Sequence, residues 1–166
     1  LQMLEALEHL NRSLQREAQE PGRTAQTLKM GIGVNSGSAL AGNLGSEQRF
    51  DYSILGDSVN LAARLEGQSK TYGVEILISE GTFSKTSGLA ALELDLLQVV
   101  GKTEPVRIFT LVGDESVART ESFKKAQALQ LAMLDAYRAR NWDRALQLID
   151  QLRESGPESA QGYFSI

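Results

Sequence analysis

Asn60 and Arg64 lie four residues apart in the run Asp57-Ser58-Val59-Asn60-Leu61-Ala62-Ala63-Arg64-Leu65-Glu66. That spacing puts both on one face of a helix. A neutral amide beside a fixed guanidinium suits negative charge developing on a phosphate. The elements that position the pair are legible on either side. Phe50, Tyr52 and Ile54 alternate with Asp51, Ser53 and Leu55, the two-residue period of a strand. Gly56 permits a sharp turn, and Asp57 or Ser58 can cap the first free amides of the helix. Ala62 and Ala63 fall on other faces, where small side chains let the helix approach a sheet closely.

The stretch Asp51-Tyr52-Ser53-Ile54-Leu55-Gly56-Asp57-Ser58-Val59-Asn60-Leu61-Ala62-Ala63-Arg64-Leu65-Glu66 resembles the signature of the class III nucleotidyl cyclases, the adenylate and guanylate cyclase family. The family pattern runs tyrosine, variable residues, a hydrophobe, Gly-Asp, then Val-Asn-x-Ala-x-Arg-Leu-Glu. Similarity extends from about Leu28 to Gly113 and is strongest to bacterial adenylate cyclases. It implies an α+β, ferredoxin-like cyclase catalytic domain lacking its N-terminal part, followed by a C-terminal helical hairpin. The domains are then expected at 1–113 and 121–166.

Composition fits that expectation. The 166 residues are 42% hydrophobic and 23% charged, enough apolar material for a core in an ordinary soluble chain. A net charge of −4 without like-charge blocks speaks against nucleic acid as the main partner. The lack of cysteine excludes disulfides and thiolate metal sites and suits a reducing, cytoplasmic compartment. No apolar run approaches membrane-spanning length. Because Leu1 begins inside an apparent helix, the chain reads as a fragment, and a membrane anchor is expected only through a missing N-terminal region.

In chain order, Leu4, Leu7, Leu10 and Leu14 mark an amphipathic helix from Leu1 to about Glu17, in which His9 reads as a solvated residue. Leu28 to Asn35 alternates, with Gly31 and Gly33 on one side, so another backbone or a ligand is expected to come close there. Five glycines fall between Gly31 and Gly45. Their spacing does not suit the dinucleotide-binding turn of an oxidoreductase. In the cyclase resemblance the segment is a core strand followed by an extended arm. Gly73 suits a left-handed helix end. A strand over 74–78, a brief helix from Ser79, and a hairpin of Leu92–Val99 with Val106–Val112 follow. Phe123–Arg140 and Trp142–Glu154 read as antiparallel helices joined at Asn141. Ala136-Tyr137 and Trp142-Asp143-Arg144-Ala145 resemble a tetratricopeptide-type hairpin, and a docking or capping element is the preferred reading.

The resemblance also implies chemistry. Asn60 would orient the ribose of a nucleoside triphosphate, and Arg64 would stabilise charge on the α-phosphate during attack by the 3′-hydroxyl. Ser53 stands where the family discriminates bases. Its hydroxyl can accept from the adenine amino group but can also donate, so ATP is expected and GTP stays open. Backbone groups of Ile54 would help hold the base. Lys102 would reach the terminal phosphates, a solvated hairpin lysine being the other reading. Val100 departs from the family, which often carries lysine there. The family's two metal-binding aspartates and adenine-recognising lysine have no counterpart. Mg2+ or Mn2+ is therefore expected on residues outside this chain, and the isolated fragment is expected to be inactive. The expected function is that of an adenylate cyclase acting as a homodimer with composite sites. The alternative from another class is a cyclase-like module that only pairs or regulates.

Overall fold

The computed structural model describes residues 1–18, 24, 26–46, 49–98 and 105–165, with the backbone alone at 44–46 and 49–51. These form two compact units, Leu1–Met30 and Gly31–Ile166.

In the first unit, helix α1 (Gln2–Glu17) carries the expected leucine stripe. The Asn11 side chain donates to the Leu28 carbonyl at 2.9 Å and accepts from the Leu28 amide at 2.8 Å. It thereby serves one residue of the following segment as a strand neighbour would.

The second unit is built on a four-stranded sheet in the order β1 (Ile32–Val34), β4 (Ile76–Ser79), β6 (Val106–Gly113), β5 (Ala90–Leu97). β1 runs parallel to β4, and the other two pairings are antiparallel. β2 (Leu40–Ser46) and β3 (Arg49–Leu55) form a separate antiparallel hairpin. Among the described residues the arm pairs only with itself, outside the four-stranded sheet, and the first strand begins at Ile32 rather than at Leu28. β4 is buried at all four positions, as a central strand with both faces covered must be. β5 shifts register at Ala90/Ala91 and Glu93/Asp95. The turn expected around 101–104 lies outside the described residues.

Helix α2 (Asp57–Ser69) buries Leu61 and Leu65 with Val74, Leu77, Leu94 and Ile108 in one apolar cluster. Fully burying a leucine contributes about 1.5–3 kcal/mol. After α2, Gly73 adopts φ +60°, the left-handed turn that its lack of a side chain permits. The short helix α3 (Glu80–Phe83) starts at Ser79, whose hydroxyl accepts from the Thr82 amide.

Beyond β6, helices α4 (Glu115–Ala118), α5 (Glu121–Arg138) and α6 (Trp142–Ser155) begin at Asp114, Thr120 and Asn141, each accepting a first-turn amide. A 3-10 turn (Glu158–Ala160) and helix α7 (Gln161–Phe164) follow. Phe123, Met133, Leu134, Leu148, Leu152 and Phe164 bury against Ala90 and Leu92 of β5. The tail therefore docks on the sheet and shares a core with it.

Candidate active site

Gly56 opens the site. Its φ of +148° lies where side chains are disfavoured, and its carbonyl accepts from the Val59 and Asn60 amides at 3.0 and 3.1 Å. Gly56 itself is the N-cap, without a side-chain hydrogen bond, so neither Asp57 nor Ser58 caps through its side chain. Asp57 instead occupies the first helical turn, where its negative charge suits the positive end of the helix.

From this start α2 projects Asn60 and Arg64, both exposed and one turn apart. The helix is held against β1 by glycine. A Cβ on Gly33 would overlap the Ala62 carbonyl oxygen and the Glu66 amide, and would lie 3.0 Å from Glu66 Cα. On Gly31 it would overlap the Ser69 hydroxyl. The backbone expected to approach the glycine-lined strand is that of α2 itself.

A polar network fixes the first turn. Asn35 Nδ2 donates to the Ser58 carbonyl at 2.9 Å, and Asn35 Oδ1 accepts from Ser79 Oγ at 2.5 Å. Thr82 Oγ1 continues the chain to Ser36 Oγ at 3.1 Å. The end of β1, the start of α2 and the start of α3 are thus tied together. Sequence reasoning did not single out Asn35. The available signal was a polar Asn-Ser-Gly step directly after a strand.

Ser53 and Ile54 sit on β3, opposite Gly42 and Ala41. Ser53 is half-buried and Ile54 is 52% exposed, their side chains alternating across the hairpin. Three residues after Ile54 the same strand becomes α2, so the hairpin and the Asn60–Arg64 face adjoin through Gly56. Lys102 lies outside the described residues. A cleft of about 350 Å3 lies elsewhere, lined by Glu80, Phe83, Arg107, Phe109 and Gln130, with none of the predicted site residues on it. Among the described residues, no group of three or more His, Asp or Glu could hold a metal ion. Asp95 accepts a hydrogen bond from the Tyr72 hydroxyl at 2.9 Å. The described residues do not fit a metal centre.

A mixed α+β sheet, a projecting hairpin, and a Gly-Asp turn into a helix with Asn and Arg on one face define a class III nucleotidyl cyclase. Residues 1–113 match the family described as the adenylate and guanylate cyclase catalytic domain, and the chain belongs to that family. An adenylate cyclase of Anabaena cylindrica is 33% identical over 112 residues, covering 64% of this chain and 22% of the relative. The terminal-differentiation-specific adenylate cyclase of Dictyostelium discoideum is 31% identical over 137 residues, 79% of this chain and 6% of its own. Among solved structures, the adenylyl cyclase CyaB from P. aeruginosa superposes with a TM-score of 0.52 at 31% identity, covering 67% of this chain and 55% of that one. The chain spans about a fifth or less of the length of these two curated relatives.

Proposed function

We propose that this chain is part of an adenylate cyclase that converts ATP to 3′,5′-cyclic AMP and pyrophosphate. The observation that carries the reading is the placement of Asn60 and Arg64 on one exposed face of α2, locked to β1 through Gly33. Cyclisation requires the 3′-hydroxyl to meet the α-phosphate in line while charge grows on the phosphate oxygens. Alignment and charge stabilisation therefore dominate the barrier. Arg64 donates to that charge, Asn60 orients the ribose, and Lys102 contacts the terminal phosphates. Ser53 Oγ accepts from the adenine amino group, with the Ile54 backbone holding the ring edge.

The exposure of the Asn60–Arg64 face supports a composite site, one wall of which comes from a second copy. The divalent metal on which cyclases of this family generally depend is assigned to a part of the protein that this chain does not represent. Among the described residues no helix is long and apolar enough to cross a membrane. We assign the chain to the cytoplasm, where its nucleotide substrate is found.

The test is the complete protein assayed with ATP and GTP, alongside Ser53→Ala. ATP is expected to be preferred, and Ser53→Ala is expected to narrow that preference without abolishing turnover. Cyclic GMP as the dominant product would replace the adenylate reading with a guanylate one. No cyclic nucleotide from either substrate would favour a pairing or regulatory module.

A further inference from the structure

Residues beyond Gly113 lie outside the family match, yet they are built into the sheet. Among the described residues β5 is an edge strand, paired only with β6. Three of its carbonyls are taken by the tail. Ala91 O accepts from Gln127 at 3.4 Å, Glu93 O from Gln130 at 2.7 Å, and Leu94 O from the Tyr163 hydroxyl at 2.9 Å. Edge groups that would otherwise face water or another chain are thereby closed. The Glu93 side chain, only 7% exposed, meets Arg138 of α5 at 2.5 Å and Arg107 of β6 at 3.5 Å. Removing Arg138 would leave the buried carboxylate short of a partner, which is costly, so the pair ties α5 to β5.

The tail also reaches the far end of α2. A Cβ on Gly162 would overlap the Gly73 carbonyl oxygen, and one on Gly73 would lie 2.7 Å from the Gly162 carbonyl carbon. Two backbones thus meet where neither tolerates a side chain. Beside them the Tyr72 and Tyr163 rings lie 6.4 Å apart, and Tyr163 packs against both apolar clusters, the one under α2 and the one under the tail. At its start α2 is held by Asn35 through the Ser58 carbonyl. The helix is clamped at both ends, and the second clamp comes from outside the family domain.

We propose that Gly162 and Tyr163 are positioning residues for the reaction at Asn60 and Arg64, acting through the end of α2. The proposal rests on the adenylate cyclase reading. A helix packed on glycine backbone cannot bend locally to absorb a displaced end, so lifting Gly73 tilts the face that carries Asn60 and Arg64. Misplacement of reacting groups by about 1 Å can cost up to roughly a hundredfold in rate. Asn60 and Arg64 are assigned to charge and alignment that develop during attack, so the loss falls on kcat more than on KM.

The experiment uses the complete enzyme with Gly162→Ala, Tyr163→Phe and Ser165→Ala. Two quantities are read: steady-state kinetics with ATP, and amide hydrogen exchange over residues 61–73. Gly162→Ala is expected to speed exchange there and to lower kcat about tenfold, with KM within about twofold, as for an interaction made mainly in the transition state. Tyr163→Phe keeps the ring and loses the hydroxyl, which donates to Leu94 O and accepts from Gln130 Nε2, so it should move both readings less, in the same direction. Ser165 is exposed and among the described residues its hydroxyl bonds only within its own turn, to the Gln161 carbonyl, so Ser165→Ala should match wild type. Unchanged exchange in Gly162→Ala, or faster exchange with wild-type kcat, overturns the proposal. If Gly162→Ala does not fold, wild-type exchange and kcat in Tyr163→Phe overturn it instead. A complete protein without cyclase activity defeats the adenylate cyclase reading, while the exchange measurement still judges the clamp.

Discussion

At the scale of single residues, Gly33 matters as much to the site as the polar side chains do. It lets a strand and a helix meet backbone to backbone, which sets how far Asn60 and Arg64 stand from the sheet. Gly33→Ala would push its Cβ into the Ala62 carbonyl and the Glu66 amide, neither of which can swing aside as a flexible side chain could. Overpacking of this kind typically costs about 1–3 kcal/mol. The expected outcome is a clear drop in the denaturation midpoint, and an unchanged midpoint would mean that α2 sits further from β1. That close approach was readable, because two glycines on one strand face have few other uses. The cap at the helix start was not. Asp57 has the right residue type, but Gly56 already supplies the unusual backbone, and its carbonyl begins the helix. Asn35 escaped notice because its partners, Ser58 and Ser79, are 23 and 44 residues away.

At the scale of elements, strong alternation and leucine periodicity made β3, β6 and the long helices α1, α2, α5 and α6 legible. β2 was not legible from its residues, since Leu40–Ser46 mixes glycine, alanine and asparagine and, among the described residues, pairs only with the neighbouring hairpin strand. The four-residue helices α4 and α7 are too short to show a period, and their positions depend on where the tail docks. That docking has a pH signature. The Tyr163 phenol is pushed up to about 12, first by burial, with the hydrogen bond from Gln130 opposing the rise and nearby Asp95 adding to it. Tyr72 is raised as well, first by burial and then by its hydrogen bond to Asp95. Each folded phenol keeps its proton at a pH where the unfolded chain, with an ordinary value of 10.0, releases it. The stability Tyr163 contributes is therefore complete below pH 10 and is lost as pH climbs from 10 through about 12, and that of Tyr72 is lost at still higher pH. Thermal unfolding followed by circular dichroism should show the midpoint falling across that window, less steeply in Tyr163→Phe. An identical fall in Tyr163→Phe would remove Tyr163 from this account.

At the scale of the whole molecule, the fold places Asn60 and Arg64 on one exposed face of α2, but among the described residues it assembles no metal centre. We therefore expect the isolated 166-residue chain to form no measurable cyclic AMP, even with manganese and abundant ATP, because the phosphate charge would stay largely unneutralised. Robust product from the purified chain would mean that the chain itself carries the metal ligands. The central claim is that Arg64 meets charge growing in the transition state. Its direct measurement is the steady-state kinetics of Arg64→Ala in the complete, correctly assembled enzyme. Loss of one such preorganised donor typically lowers turnover on the order of a hundredfold or more. The account predicts a kcat reduced by that order with the KM for ATP changed much less, whereas a wild-type kcat would contradict it and leave Arg64 as a residue of the helix surface.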